Sequence, residues 1–174
     1  MNQNSQHLSY APAIAAGSKP PKVALVAASW HQNIVSAAIG AIQGEFERQS
    51  LPPDCLELHR VPGAFEIPLL AMRLARSGRY DAVIACGLVV DGGIYRHEFV
   101  ASAVIDALMR VQLDTDVPTF SAVLTPRNFH EHEEHKTFFK HHFVKKGAEV
   151  AQACLGTLAG LAALPRSDLA SIAP

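Results

Sequence analysis

The 174-residue chain carries little charge and has no excess of either sign. Charged residues make up 18% of it and its formal net charge is −1, which argues against a nucleic-acid partner and against a strongly anionic surface. No apolar run approaches the roughly 20 residues of a membrane-spanning helix, because charged residues, glycine or proline interrupt each one. The sequence also opens without the basic stretch and apolar core of a secretory signal, so we expect a cytoplasmic protein.

Cysteine is scarce as well, and the three cysteines Cys55, Cys86 and Cys154 form no CxxC pair. Such a set indicates small core residues in a reducing compartment and not a disulfide framework. Apolar residues, in contrast, make up 49% of the chain. That fraction predicts a large core or a second surface buried against other subunits, and the length fits one domain.

Strand and helix patterns alternate along the middle of the chain. The strand candidates are 22–28, 55–61, 81–90 and 117–125, and the helix candidates are 33–49, 65–77, 95–113 and 145–164. Near-continuous apolar runs such as KVALVAA and DAVIACGLVV are typical of strands buried on both faces. The series therefore predicts an α/β fold with a four-stranded parallel sheet and helices on both faces. Residues 1–20 are expected to form a flexible arm that can order on a neighbouring subunit, residues 21–164 the domain, and 165–174 a loose tail.

Ligands of open α/β sheets bind beyond the carboxyl ends of the strands, so the segments that follow the strands are the candidate site. Trp30, the only tryptophan, follows the first strand and either stacks on a flat heterocycle or packs as a rim residue. The second strand runs into residues 61–68 (VPGAFEIP), where a proline–glycine turn opens a helix. The free N–H groups of that helix start suit an anionic or carbonyl-bearing ligand, although Glu66 is also explained as a helix-dipole partner.

The third strand leads into residues 91–98 (DGGIYRHE), in which two glycines let the backbone approach a ligand closely. Arg96 is a candidate fork donor to a phosphate, and His97 can move protons near neutral pH. The alternative interpretation of Arg96, His97 and Glu98 is a solvated first helical turn.

Residues 128–142 (NFHEHEEHKTFFKHH) are rich in histidine and glutamate and invite a zinc-site hypothesis. The His-Glu-x-x-His spacing is absent, because the residue four after His130 is Glu134. A charged, solvated helix or a subunit interface is the favoured interpretation, and we expect no metal. Basic residues in or after the segment are candidate phosphate contacts: His135, Lys136, Lys140, Lys145 and Lys146.

Taken in order, these pieces resemble the 6,7-dimethyl-8-ribityllumazine synthase family over about residues 22–164. The resemblance is carried by VPGAFEIP and supported by YDAVIACG at 80–87, EFVA at 98–101, VP at 117–118, VLT at 123–125 and KKGAEVA at 145–151. It implies a flavodoxin-like three-layer sandwich whose subunits form pentamers, in some members stacked into decamers or larger shells, with active sites between neighbours. It also implies an enzyme of riboflavin biosynthesis that condenses 5-amino-6-ribitylaminouracil with 3,4-dihydroxy-2-butanone 4-phosphate and needs no cofactor.

The resemblance assigns roles to individual positions. Trp30 stands where the family stacks an aromatic ring on the pyrimidine, and Lys146 and Glu149 match polar residues that a neighbouring subunit contributes. The remaining matches are Ala64, Phe65 and Glu66 in the ribityl-binding turn, Leu88, Val89 and Val90 along the pyrimidine edge, and Gly93 and Ile94 near the phosphate-bearing substrate.

Three positions depart from the family pattern. Arg96 falls where the family has its catalytic histidine, with His97 one place later, so the proton-transfer role is open between the two. Ser121 falls where an aromatic residue of the neighbour is expected. His135 falls where an arginine binds phosphate, and Arg127 is the alternative ligand. These departures indicate a divergent branch, and Arg96 in particular keeps open a catalytically weak paralogue that binds lumazine or riboflavin. Two further rivals rest on other features: an unrelated binding module, suggested by the fold alone, and a metal-dependent hydrolase, suggested by the histidine cluster.

Overall fold

The computed structural model describes residues 19–91, 96–126, 129 and 132–164. Most of the expected arm and the whole of the expected tail lie outside these residues. None of the helices in the described part of the chain combines the length and the apolar character that a membrane span requires.

The described residues form a four-stranded parallel sheet between two layers of helix, as the sequence predicts. The elements in chain order are β1 (Val23–Ala28), α1 (Gln32–Arg48), β2 (Leu56–Val61), α2 (Ile67–Ala75), β3 (Ala82–Leu88), α3 (His97–Thr115), β4 (Thr119–Leu124) and α4 (Glu133–Ala162). Short 3₁₀ turns at Pro53–Cys55 and Ala64–Glu66 flank β2. The strand order is β2-β1-β3-β4, so the two near-continuous apolar runs, which form β1 and β3, lie at the centre of the sheet.

Strand position explains the burial pattern. Every residue of β1 and of β3 is buried, because both strands have a neighbour on each side and a helix layer on each face. The edge strands β2 and β4 expose part of their side chains. Alternate side chains enter two separate cores: Leu25 and Ile84 belong to the core that α1 and α4 cover, and Val26 and Val83 to the core that α2 and α3 cover.

The prediction that the last helix begins at Lys145 is wrong, because α4 begins at Glu133. Residues 133–146 in its first half include no proline or glycine, and two glutamates in the first turn favour the helix dipole. Phe139 and the fully buried Phe143 pack this half onto the α1–α4 core. The lysine and two histidines between these phenylalanines obscure the apolar periodicity that would otherwise indicate a helix. The interpretation of the histidine-rich segment as a helix is thereby confirmed from Glu133 onward.

Candidate functional site

Because all four strands are parallel, their carboxyl ends lie along one edge of the sheet, and β1 and β2 end side by side there. The last pair in their register is Ala28 with Val61, so Trp30 and Gly63 each lie two residues beyond a paired position. Three hydrogen bonds extend the pairing past the strands. The Ser29 N–H donates to the Val61 carbonyl at 2.8 Å and to the Pro62 carbonyl at 3.1 Å, and the Trp30 N–H donates to the Pro62 carbonyl at 3.1 Å. The segments after β1 and β2 are therefore one connected unit.

The indole of Trp30 rests on Gly63. A Cβ added at Gly63 would stand 2.7 Å from Cζ3 and 2.8 Å from Cε3 of Trp30. Gly63 is buried, while 64% of Trp30 remains exposed. The Gly63 N–H donates to Oε2 of Glu66 at 2.8 Å, which closes the turn and caps the helical segment that follows. The tryptophan thus presents most of its surface to solvent at the carboxyl edge of the sheet.

The neighbouring turn residues differ in what they expose. Ala64 is buried and lies close to Gly87 of β3, whose added Cβ would stand 3.6 Å from the Ala64 Cβ. Phe65 is 63% exposed. Trp30 and Phe65 are therefore large apolar side chains left open on the segments that follow β1 and β2.

The end of β3 offers less side-chain surface than expected. Leu88 and Val89 are buried in the two cores, and Val90 is half-buried. The Val89 N–H already donates to the Leu124 carbonyl at 2.9 Å. Leu88 and Val89 therefore offer little surface to a ligand at this edge, and Val90 offers more. Gly93 and Ile94 lie outside the described residues.

Arg96 and His97 take different positions at the start of α3. The His97 side chain is only 15% exposed, and its Nδ1 lies 3.6 Å from Oε2 of Glu98. Arg96 is exposed, and its guanidinium carbon lies 5.0 Å from the ring centroid of Phe99. The histidine is thus the sheltered member of the pair, and the arginine stacks on an exposed ring.

A chain of ring contacts joins the segment after β1 to the first turn of α4. The His31 and Phe129 centroids are 5.8 Å apart, those of Phe129 and Phe139 are 5.4 Å apart, and those of His135 and Phe139 are 6.0 Å apart. His31 has φ of 55° in the left-handed region, which costs a non-glycine residue about 1 kcal/mol. The sequence reasoning did not single out His31, Phe129 or Phe139, and only the aromatic spacing in the histidine-rich segment hinted at them.

Two further expected residues lie on β4 and α4 and not on the segments that follow β1 and β2. Ser121 is exposed on β4, with β3 between it and β1, and its hydroxyl accepts the Val123 N–H at 3.2 Å. Lys146 lies well inside α4, where its ammonium group contacts Oε2 of Glu149 at 2.7 Å. Arg127 lies outside the described residues.

A metal site gains no support from the part of the chain that the structure describes. No group of three or more histidine, cysteine, aspartate or glutamate side chains suited to a metal ion occurs among those residues. His130 and Glu131 of the hypothesised cluster lie outside them, while His132 and His135 both have interaction partners.

Known proteins of one family match most of this chain. A family model described as 6,7-dimethyl-8-ribityllumazine synthase matches residues 20–161. A 6,7-dimethyl-8-ribityllumazine synthase of Rhodococcus erythropolis is 59% identical over 84% of this chain and 94% of the relative. A protein named 6,7-dimethyl-8-ribityllumazine synthase 2 of Bradyrhizobium diazoefficiens is 56% identical over 89% of this chain and 93% of the relative. One of that same name from Pseudomonas syringae pv. tomato is 49% identical over 84% and 86%.

Proposed function

The chain belongs to the 6,7-dimethyl-8-ribityllumazine synthase family, and on that premise we propose that Trp30 and the turn after β2 hold the pyrimidine substrate. The chain is a transferase of riboflavin biosynthesis that acts on small molecules. It condenses 5-amino-6-ribitylaminouracil with 3,4-dihydroxy-2-butanone 4-phosphate to 6,7-dimethyl-8-ribityllumazine.

The condensation depends more on the orientation of its two substrates than on a strong acid, base or nucleophile. The amine of the pyrimidine attacks the ketone to form an imine, phosphate leaves, and the ring closes with loss of water. Holding two reactants in register supplies much of the rate of such a condensation, and positioned acid–base groups supply the proton transfers. A site with few ionisable groups and a large aromatic surface fits these demands.

The pyrimidine is assigned to the open indole of Trp30, and this exposed ring at the carboxyl edge is the observation that carries the proposal. A flat heterocycle gains by stacking on an aromatic ring that is otherwise left to water. The ribityl chain then lies along Ala64, Phe65 and Glu66, and Val90 borders the heterocycle.

His97 is assigned the proton transfers and Arg96 an electrostatic role. An arginine stays protonated at every working pH and cannot shuttle protons, whereas histidine can. The sheltered position of His97 beside Glu98 supports this division, as does the contact that turns Arg96 toward Phe99.

The phosphate group is assigned to His135 or Arg127. The ring contacts through Phe129 and Phe139 connect His135 with His31, directly after Trp30, and this connection favours His135. Ser121 and Lys146 are assigned to the site of a neighbouring subunit, since they lie on β4 and α4 and not on the segments that follow β1 and β2.

A homo-oligomer built on pentamers, with a decamer as the next larger form, is the proposed assembly, and the cytoplasm is the proposed compartment. Helix α3 supports the assembly, because several large apolar side chains on it are exposed: Phe99, Ile105, Met109 and Leu113. Such a surface is typical of contacts between subunits. Size-exclusion chromatography with light scattering measures the assembly, and a monomer would contradict it.

The activity is tested by mixing the two substrates with the protein and following lumazine absorbance or fluorescence. The matched control omits the protein, because the condensation also proceeds without catalyst. A rate no higher than this background would refute the proposal and favour a paralogue that only binds lumazine or riboflavin. Loss of activity in a strong chelator would favour a metal-dependent enzyme.

A further inference from the structure

We propose that Gly63 is a positioning residue for the condensation: the absence of its side chain lets the Trp30 indole lie on the turn after β2, where it meets the pyrimidine. This inference rests on the stacking role proposed above for Trp30. It concerns a residue that contacts no substrate in the proposal and acts through the tryptophan.

The backbone of Gly63 does not itself require glycine. Its φ of −126° and ψ of −178° are extended values that any residue adopts. Glycine is often kept for a left-handed conformation, and that reason is absent at this position. The remaining reason is space beside the Cα.

That space is filled by Trp30 and, to a lesser degree, by Glu66. A Cβ at Gly63 would stand 2.7 and 2.8 Å from two carbons of the outer indole ring, and 3.1 Å from Oε2 of Glu66. Two carbon atoms in contact prefer a separation of roughly 3.5–4 Å, so the indole would have to move by about an ångström. The carboxylate would have to give by a few tenths of an ångström at most.

Both neighbours can move without disturbing the core. Trp30 is 64% exposed, and Glu66 is exposed as well. Alanine at position 63 is therefore compatible with the fold, and its consequence is a displaced indole. A displaced indole presents the wrong position to a stacked ring, which weakens pyrimidine binding more than it weakens the chemical step.

The sequence supplies a direct probe, because Trp30 is the only tryptophan. The experiment compares wild type with Gly63→Ala, and uses Gly40→Ala as the control, since a Cβ at Gly40 of α1 meets nothing within 4 Å. We expect Gly63→Ala to shift the emission maximum and raise the acrylamide quenching constant of the ligand-free protein. The control should leave both at wild-type values.

Kinetics complete the test. We expect Gly63→Ala to raise KM for the pyrimidine about tenfold, with kcat and the KM of the ketose phosphate within about twofold of wild type. In a Trp30→Phe background, which lacks the outer indole ring, Gly63→Ala should change the pyrimidine KM by less than about twofold. Additive effects of the two substitutions would overturn the inference.

Each remaining outcome supports or refutes the positioning role of Gly63. Unchanged emission and quenching in Gly63→Ala would refute the contact, and changed emission with an unchanged pyrimidine KM would refute the positioning role. An unchanged pyrimidine KM in Trp30→Ala would instead place the failure in the proposed stacking. If Gly63→Ala folds only together with Trp30→Phe, the steric contact is supported. If neither folds, the turn itself needs the space and the inference fails.

Discussion

Gly147 of α4 lies directly against the backbone of α1, at Ala38. A Cβ added at Gly147 would stand 2.4 Å from the carbonyl oxygen of Ala38 and 2.9 Å from its Cα. Backbone atoms in the middle of a helix cannot swing aside, so any side chain here would force the two helices apart. This contact sets the spacing of the α1–α4 layer that covers one face of the sheet.

Gly147→Ala is expected to lower the free energy of unfolding by about 2–3 kcal/mol, because overpacking a closed helix contact costs more than alanine gains in helix propensity. Gly160→Ala in the same helix is the matched control, since its Cβ meets nothing within 4 Å. That variant should gain about 0.5–1 kcal/mol. Urea denaturation measures both, and equal stability of the two variants would contradict the close contact.

Glu45 is a buried carboxyl between the same two helices. Burial raises its pKa, but hydrogen bonds from Arg48, Gln152 and Gln49 outweigh that effect, so the net pKa lies below the ordinary value of 4.5. A carboxyl with a lowered pKa contributes stability above its unfolded pKa, and the contribution is lost as the pH falls through the folded pKa. Glu45 therefore makes the fold acid-sensitive.

Glu45→Gln is expected to lower the free energy of unfolding by about 1–2 kcal/mol at pH 7, because a neutral amide is a weaker acceptor for these donors than a carboxylate. The loss should shrink as the pH falls below about 4.5. Denaturation at a series of pH values measures the effect, with the exposed Glu47→Gln of the same helix as control. A loss that stays constant between pH 7 and pH 3 would refute the assignment.

The fold follows from the sequence where burial is uniform. The apolar runs of β1 and β3 predict central strands, because a strand covered on both faces has apolar residues at consecutive positions. The same reasoning does not predict the first half of α4, since Phe139 and Phe143 are separated by a lysine and two histidines. The contact of Trp30 with Gly63 is not predicted from the sequence either, because only the register of Ala28 with Val61 brings these distant segments together.

The three cysteines are expected to be unreactive in the folded protein. Burial raises the pKa of the Cys86 and Cys154 thiols to about 12, and burial also raises the pKa of Cys55. The thiolate is the nucleophile, and at pH 8 a thiol with such a pKa is ionised in about one molecule in 10,000. A chromogenic disulfide reagent should therefore label no cysteine rapidly in the native state and three after denaturation. Fast native labelling of Cys86 or Cys154 would contradict their burial.

Trp30→Ala is expected to raise the pyrimidine KM about tenfold or more and to leave kcat within a few-fold, since stacking of a base on an aromatic ring contributes about 1–3 kcal/mol. Steady-state kinetics with the ketose phosphate saturating measure both constants. Phe138→Ala is the control, because Phe138 on α4 is comparably exposed at 62%. A loss confined to kcat would contradict a stacking role.

Arg96 and His97 at the start of α3 are expected to differ in role, with charge stabilisation at Arg96 and proton transfer at His97. His97→Ala is expected to lower kcat about 100-fold and to leave the pyrimidine KM within a few-fold, because a positioned acid–base group is lost. Arg96→Ala should lower kcat/KM by a smaller factor, since it removes a positive charge and no proton donor to the reaction. Arg96→Lys, which keeps the charge, should recover most of the loss. If Arg96→Ala lowers kcat more than His97→Ala does, the roles are reversed, and the sheltered position of His97 beside Glu98 is structural only.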